Sequence, residues 1–266
     1  MNQTVALHAS DAVEATPTTP AQPTPTTPAQ PVRSLAIRAR ALTLEGARGL
    51  VYGPLDLDVL AGDLIVLQGP QGAGRSSLLL TLAGRMVPSA DSRLTLLGTA
   101  LPARRGEKQR RQVQRRAAIA GFTGIDELDD AVTIADTIRE RLAWLSPWHR
   151  RTPAVTEKTY AALADPVFGP RTRPALDSMV WDLDEVDAML LRIMLAMAQG
   201  PELLLVDDLD QVHDSARRQL VWDRLHAITT TGVTVIGSVA SAGEVGAMVW
   251  PTAPTTVSLT TGPLPV

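Results

Sequence analysis

The run Gly69-Pro70-Gln71-Gly72-Ala73-Gly74-Arg75-Ser76-Ser77 has the residue types and spacing to hold a chain of phosphates. Glycines let successive backbone N–H groups turn inward on phosphate oxygens, and the N-terminus of the following helix adds its dipole. Ser76 offers a hydroxyl where the magnesium that accompanies a nucleoside triphosphate is ligated. The pattern G-x-x-x-x-G-K-[ST] is met from Gly69 except at the lysine, which is Arg75. Arginine keeps the charge and grips phosphate bidentately, but its planar fork is wider than a compact ammonium. Phosphate binding is therefore expected, and efficient hydrolysis is not. The second chemical stretch is PELLLVDDLD, Pro201–Asp210. A carboxylate at the tip of such a strand seats magnesium in nucleoside triphosphatases. Neighbouring strand residues point to opposite sides, so Asp207 suits the metal and Asp208 the attacking water. The plainer alternatives are a tight glycine turn without ligand, and an acidic turn capping a helix that begins near Asp214.

These residues need elements to position them. Leu64–Leu67 reads as a buried parallel strand, and Leu78, Leu79, Leu80, Leu82 and Ala83 as the helix after the glycines. Leu203–Val206 and Val233–Ile236 read as further buried strands. Upstream, residues 35–44 and Leu55–Val59 alternate as strands, and Arg93–Leu97 and Ala118–Phe122 are shorter candidates. A helix is expected over Thr133–Trp144. A proline-rich and polar insertion follows over Ser146–Pro174, with a helical piece at Glu157–Leu163. Met179–Ala198 reads as one apolar helix, and residues after Trp250 as a tail with strand-like pieces such as Thr256–Leu259. Ala103–Arg116 carries seven basic residues against Glu107, with no aromatic interleaved to stack a base, which favours a solvated helix over a nucleic-acid surface.

The 266 residues suffice for one α/β domain behind a leader. Residues 1–33 form that leader: TPTTPAQP occurs twice in tandem, and such sequence stays extended and solvated. The net charge of −3 gives no global field to recruit nucleic acid or anionic lipid. The absence of cysteine excludes disulfides, thiolate zinc sites and thiol catalysis. No apolar run has the length of a membrane span, and no secretory signal is recognisable, so a soluble protein inside the cell is expected.

With these residues in hand, the chain from about Ser34 to about Trp250 resembles the ATP-binding subunit of ABC transporters. GPQGAGRSSLL is similar to the family's phosphate loop, LLLVDD to its Walker B strand, and GVTVIGSV to the strand leading to its switch histidine, while Asp214 falls on its D-loop aspartate. The resemblance implies an α/β P-loop NTPase fold of the ABC-ATPase type, with an N-terminal antiparallel β-subdomain and a helical subdomain inserted over about residues 133–200. It also implies ATP and Mg2+ as ligands, a separately encoded membrane-spanning partner with Trp144 and Trp148 near the docking face, and a homo- or heterodimer of cassettes. The expected location is cytoplasmic, peripheral at the inner face of the cell membrane. Several positions depart from the family pattern. The signature Leu-Ser-Gly-Gly-Gln falls on Leu183-Asp184-Glu185-Val186-Asp187, and the switch histidine on Ala240. The glutamine loop falls near Gly124, and the base-stacking aromatic near Gly46 with Tyr52 displaced toward the strand. The catalytic glutamate is the shorter Asp208. The expectation is an ATP-binding cassette whose hydrolysis is weak or lost. A non-hydrolysing regulatory partner is the alternative, with a nucleic-acid-associated ATPase behind it.

Overall fold

The computed structural model describes residues 33–102, 106–147, 149 and 151–260, so residues 1–32 of the Thr/Pro-rich leader and Trp148 lie outside the described residues. The chain opens with a long antiparallel pair, β1 (Leu35–Gly46) and β2 (Gly49–Leu60). Ile37 faces Val59 and Ala39 faces Leu57, so the apolar set lies on one side. After β3 (Leu64–Gln68) and α1 (Arg75–Leu82), the short strands β4 (Arg93–Leu96) and β5 (Thr99–Leu101) complete this first sheet in the order β2-β1-β4-β5.

The second sheet is parallel. It gathers β3, β6 (Ala117–Ala120), β7 (Leu203–Val206), β8 (Thr234–Val239) and β9 (Thr255–Ser258) in the order β6-β7-β8-β3-β9. Leu64–Leu67, Leu203–Val206 and all of β8 are buried, as continuous apolar strands covered on both faces must be. Alternate residues feed two cores. Val66, Leu204, Val206 and Val235 pack with α4 (Glu157–Phe168), α5 (Glu185–Met197) and α6 (Ser215–Thr229). Ile65, Leu67, Leu205 and Ile236 pack with α1 and the antiparallel sheet. The basic segment forms α2 (Glu107–Gln114), in which Val113 is the buried residue, and α3 spans Ile134–Leu145. A single turn, α7 (Glu244–Ala247), follows β8.

Two expectations are corrected. Met179–Ala198 is not one helix: Val180–Asp182 form a 3-10 turn, Leu183 and Asp184 are extended, and α5 begins at Glu185. The break falls at Asp184 because its carboxylate accepts the Asp187 N–H at 2.8 Å, satisfying a donor that a helix start leaves orphaned. The helical piece expected to end at Leu163 continues to Phe168 despite Pro166. Burial of Val167 and Phe168 holds that last turn, and Arg224 donates to the Val167 and Pro166 carbonyls at 2.7 and 3.1 Å. The strand-like piece expected at Thr256–Leu259 is present as β9, one residue earlier. β9 pairs with β3 from Ile65↔Thr255 to Gln68↔Ser258, because an apolar edge strand at that position needs a partner.

Candidate functional site

The loop after β3 leads straight into α1, and its geometry follows from backbone constraints. Gly74 caps α1 with φ +84°, and a Cβ there would lie 2.5 Å from the Val51 carbonyl oxygen, so glycine alone fits. α1 has neither a side-chain cap nor an acidic residue in its first turn. Its first intrahelical bond runs from Leu78 N–H to Gly74 O at 2.8 Å, and the N–H groups before it are the orphan donors that an anion satisfies. A cleft of about 700 Å³ opens there. Gln71, Gly72, Gly74, Arg75, Ser76 and Ser77 line one wall, and Asp207, Asp208 and Ala240 the other. Gly69 and Ala73 are buried in the turn beneath this lining, and Pro70 is exposed. The crevice sits beyond the carboxyl ends of β3 and β7, with β8 between them, where open parallel sheets place their ligands.

Asp207 is 4% exposed. Its Oδ1 accepts the Ser238 hydroxyl, whose oxygen in turn accepts the Asp208 N–H at 2.9 Å. Ser238 therefore orients the carboxylate and ties it to its neighbour, a role that sequence reading missed. The signal was a hydroxyl inside the otherwise apolar strand Thr-Val-Ile-Gly-Ser-Val. Gly121 lies against Asp207 so closely that a Cβ would stand 2.2 Å from the Asp207 carbonyl oxygen. Asp208 adopts φ +49° and ψ +55°, a conformation that costs an L-residue roughly 1–2 kcal/mol. Its Oδ2 receives a long contact of 3.4 Å from the Gln211 amide. Gln211 also donates to the Gly121 carbonyl at 2.9 Å and accepts from Arg192 at 2.8 Å, and Arg192 forks onto Asp126. Among the described residues no group of three or more His, Cys, Asp or Glu is disposed to hold a metal. Ser76 and Asp207 nonetheless share the cleft, and magnesium in phosphate sites takes one or two protein ligands beside phosphate oxygens and waters. The residues present fit that ion.

Two residues singled out in the sequence make further contacts. Arg75 lines the cleft with its Nη1 3.4 Å from Asp210 Oδ2. Tyr52 is no platform for a base. It is 2% exposed, its hydroxyl donates to Thr81 Oγ1 at 2.7 Å, and burial pushes its phenol up to about 12. Tyr52→Phe is expected to cost about 1 kcal/mol of stability through that lost hydrogen bond. Nucleotide affinity should be unchanged; denaturant unfolding beside calorimetric titration measures both.

The segment 183–187 is not brought to this cleft within the chain. Its carboxylates are answered internally. Arg171 binds Asp184 at 2.9 Å and Asp187 at 2.6 Å, and Arg217 lies 3.5 Å from Asp184. His213 pairs with Glu185 through Nδ1 at 2.8 Å, and that hydrogen bond holds the Glu185 carboxyl below its usual range. The N-terminus of α5 is thus capped by its own acids and presents no anion seat.

A family model described as ABC transporter matches residues 52–210. The chain is 29% identical over 203 residues to the Nod factor export ATP-binding protein I of Neorhizobium galegae, covering 76% of this chain and 54% of the relative. It spans just over half the length of the curated relatives it matches. In three dimensions it is similar to cbiO1 from Clostridium perfringens, described as part of the ABC transporter complex cbiONQ. That likeness has a TM-score of 0.63 at 14% identity, over 78% of this chain and 79% of the other. It is also similar to the bacterial ABC transporter cassette MJ0796, solved as a dimer, with a TM-score of 0.65 at 14% identity over 85% of this chain and 95% of that one. The expected fold, a P-loop domain of the ABC-ATPase type, is the one observed.

Proposed function

This chain belongs to the ABC transporter family, and we propose that it serves there as a nucleotide-binding cassette that takes magnesium–ATP, hydrolyses it slowly or not at all, and docks on a separate membrane protein. The observation that carries this reading is the single cleft in which the glycine loop and uncapped start of α1 face Asp207. The backbone amides of Gly72 and Gly74–Ser77 would hold the β- and γ-phosphates, with Arg75 adding charge. Ser76 and Asp207 would hold magnesium, which neutralises the phosphate oxygens when bound. Gly69 and Ala73, whose N–H groups donate to the Val239 and Pro70 carbonyls at 3.2 and 3.1 Å, would with Pro70 set the shape of the loop that the phosphates enter.

Slow hydrolysis rests on three features. Asp208 is short for a residue that orients the attacking water and is held in a strained backbone conformation. Ala240 lines the cleft without an imidazole. The start of α5, capped by its own carboxylates, is a poor donor to a second cassette's nucleotide, which favours a heterodimer with a competent partner over a homodimer. Among the described residues no helix is long and apolar enough to cross a membrane. A groove of about 460 Å³ lined by Ile125, Arg192 and the 78% exposed Trp144 is the proposed docking place for the membrane partner, which would put the protein at the inner face of the membrane. The same features support a regulatory partner that binds nucleotide without turnover.

Steady-state phosphate release tests the slow turnover that both readings share. Turnover is expected well below the ~1 s⁻¹ lower end of ordinary enzymes, and Asp208→Asn should change it little. Brisk hydrolysis abolished by Asp208→Asn would overturn the slow-turnover proposal. Absence of any magnesium–ATP binding would overturn the nucleotide reading itself.

A further inference from the structure

We infer that Asp210 is a positioning residue that parks the Arg75 guanidinium off the phosphate seat and yields it when a nucleoside triphosphate enters. The inference rests on the nucleotide reading above and adds a control to it. Arg75 opens α1 beside the phosphate loop and is only 12% exposed. Its Nη1 makes one contact with Asp210 Oδ2, at once a hydrogen bond and an ion pair, three residues beyond the proposed magnesium ligand. Asp210 Oδ2 also accepts the Ala240 N–H at 2.5 Å. One carboxylate oxygen thus joins the start of α1, the turn after β7 and the residue following β8.

The length of the contact indicates a parked arginine rather than a locked one. Charge-assisted N–H···O bonds run at about 2.7–2.9 Å. Arg40–Asp58, Arg116–Glu202 and Arg218–Glu244 here close to 2.6, 2.5 and 2.6 Å, whereas Arg75–Asp210 stops at 3.4 Å. A polyphosphate brings several negative charges against one carboxylate and outbids it for the guanidinium. Asp210 keeps the Ala240 amide when Arg75 leaves, so the far wall need not collapse on release. While Arg75 is parked, the apparent affinity falls in proportion to the fraction of molecules with a free guanidinium. A merely structural staple between α1 and the turn would instead add stability and leave affinity alone.

Asp210→Asn removes the charge and keeps an acceptor for Ala240. Competition binding of magnesium–ATP against a fluorescent analogue, which reads weak affinities, is run on four proteins: wild type, Asp210→Asn, Arg75→Ala and the double variant. Asp210→Asn is expected to bind about three- to tenfold more tightly than wild type. On the Arg75→Ala background the same change should move affinity by less than about twofold, because no cation remains to release. Equal gains on both backgrounds would mean general relief of repulsion and would overturn the proposal. No gain in wild type, with a lowered melting temperature, would assign Asp210 the structural role and leave the nucleotide reading standing. Failure of all four proteins to bind would remove both. Should the asparagine variant not fold, Asp210→Ser carries the same comparison.

Discussion

Arg75→Ala is expected to weaken magnesium–ATP binding by about ten- to a hundredfold while barely moving the melting temperature. Hydrogen bonds to charged groups contribute roughly 1.5–3 kcal/mol, which converts to that range of affinity. The folded state loses little, because the pair with Asp210 is long and Asp210 is 30% exposed. Pairs of that kind contribute about 0–1 kcal/mol. The opposite signs expected for Arg75→Ala and Asp210→Asn make the two changes a sharper test together than either alone. Isothermal titration with magnesium–ATP reads the effect directly, and an unchanged affinity would remove Arg75 from the phosphate site. Arg75→Lys should retain most of the binding, since the ammonium keeps the charge.

A second large effect lies behind the cleft, at Glu244. This carboxylate is 2% exposed and is held on every side: Arg218 forks onto it at 2.6 and 3.0 Å, and the Trp222 indole N–H donates at 2.9 Å. Trp222 is fully buried and meets Trp250 edge-on with ring centroids 5.2 Å apart. The Trp222 ring also fills the space over Gly237, where a Cβ would come within 2.6 Å of it. Glu244→Ala would leave a guanidinium and an indole N–H without their acceptor in a largely dry site. Breaking one side of a buried ion pair costs about 3–5 kcal/mol. For a domain of this size that predicts a fall in melting temperature of roughly 6–20 °C. Glu244→Gln, which keeps an acceptor for the indole, should fall between. A shift below about 2 °C for the alanine variant would show that water replaces the carboxylate at little cost. Ser238, which orients Asp207, follows directly on Gly237, so this triad also supports the strand beneath the glycine-loop cleft.

What the sequence made legible, and what it hid, divides by range. β3, its glycine turn and α1 were readable because four apolar residues, three glycines and a leucine-rich helix lie in one continuous stretch with strict local constraints. β7 and its acidic tip were readable for the same reason. The break before α5 was written locally too, in the capping pair Asp184 and Asp187, but the apolar run around it masked the signal. Tertiary pairings were out of reach. Nothing near Arg75 in sequence announces a carboxylate 135 residues away, and nothing near Tyr52 announces that Thr81 will take its hydroxyl. The strand-like pieces after Trp250 were visible, but only the parallel sheet reveals that β3 needs one of them as a neighbour.

The order of strands in the parallel sheet also governs how the protein emerges from a ribosome. β3 has two neighbours, β8 and β9, and both are translated long after it: Gln68 and its partner Ser258 stand 190 residues apart. Until they arrive, Leu64–Leu67 is an apolar strand with both edges bare, the kind of nascent segment that pairs with the wrong chain. The glycine turn it carries has no fixed geometry in that interval. The glycine-loop cleft is therefore completed late, and a ligand bound there during synthesis would favour the finished sheet over its partly made forms.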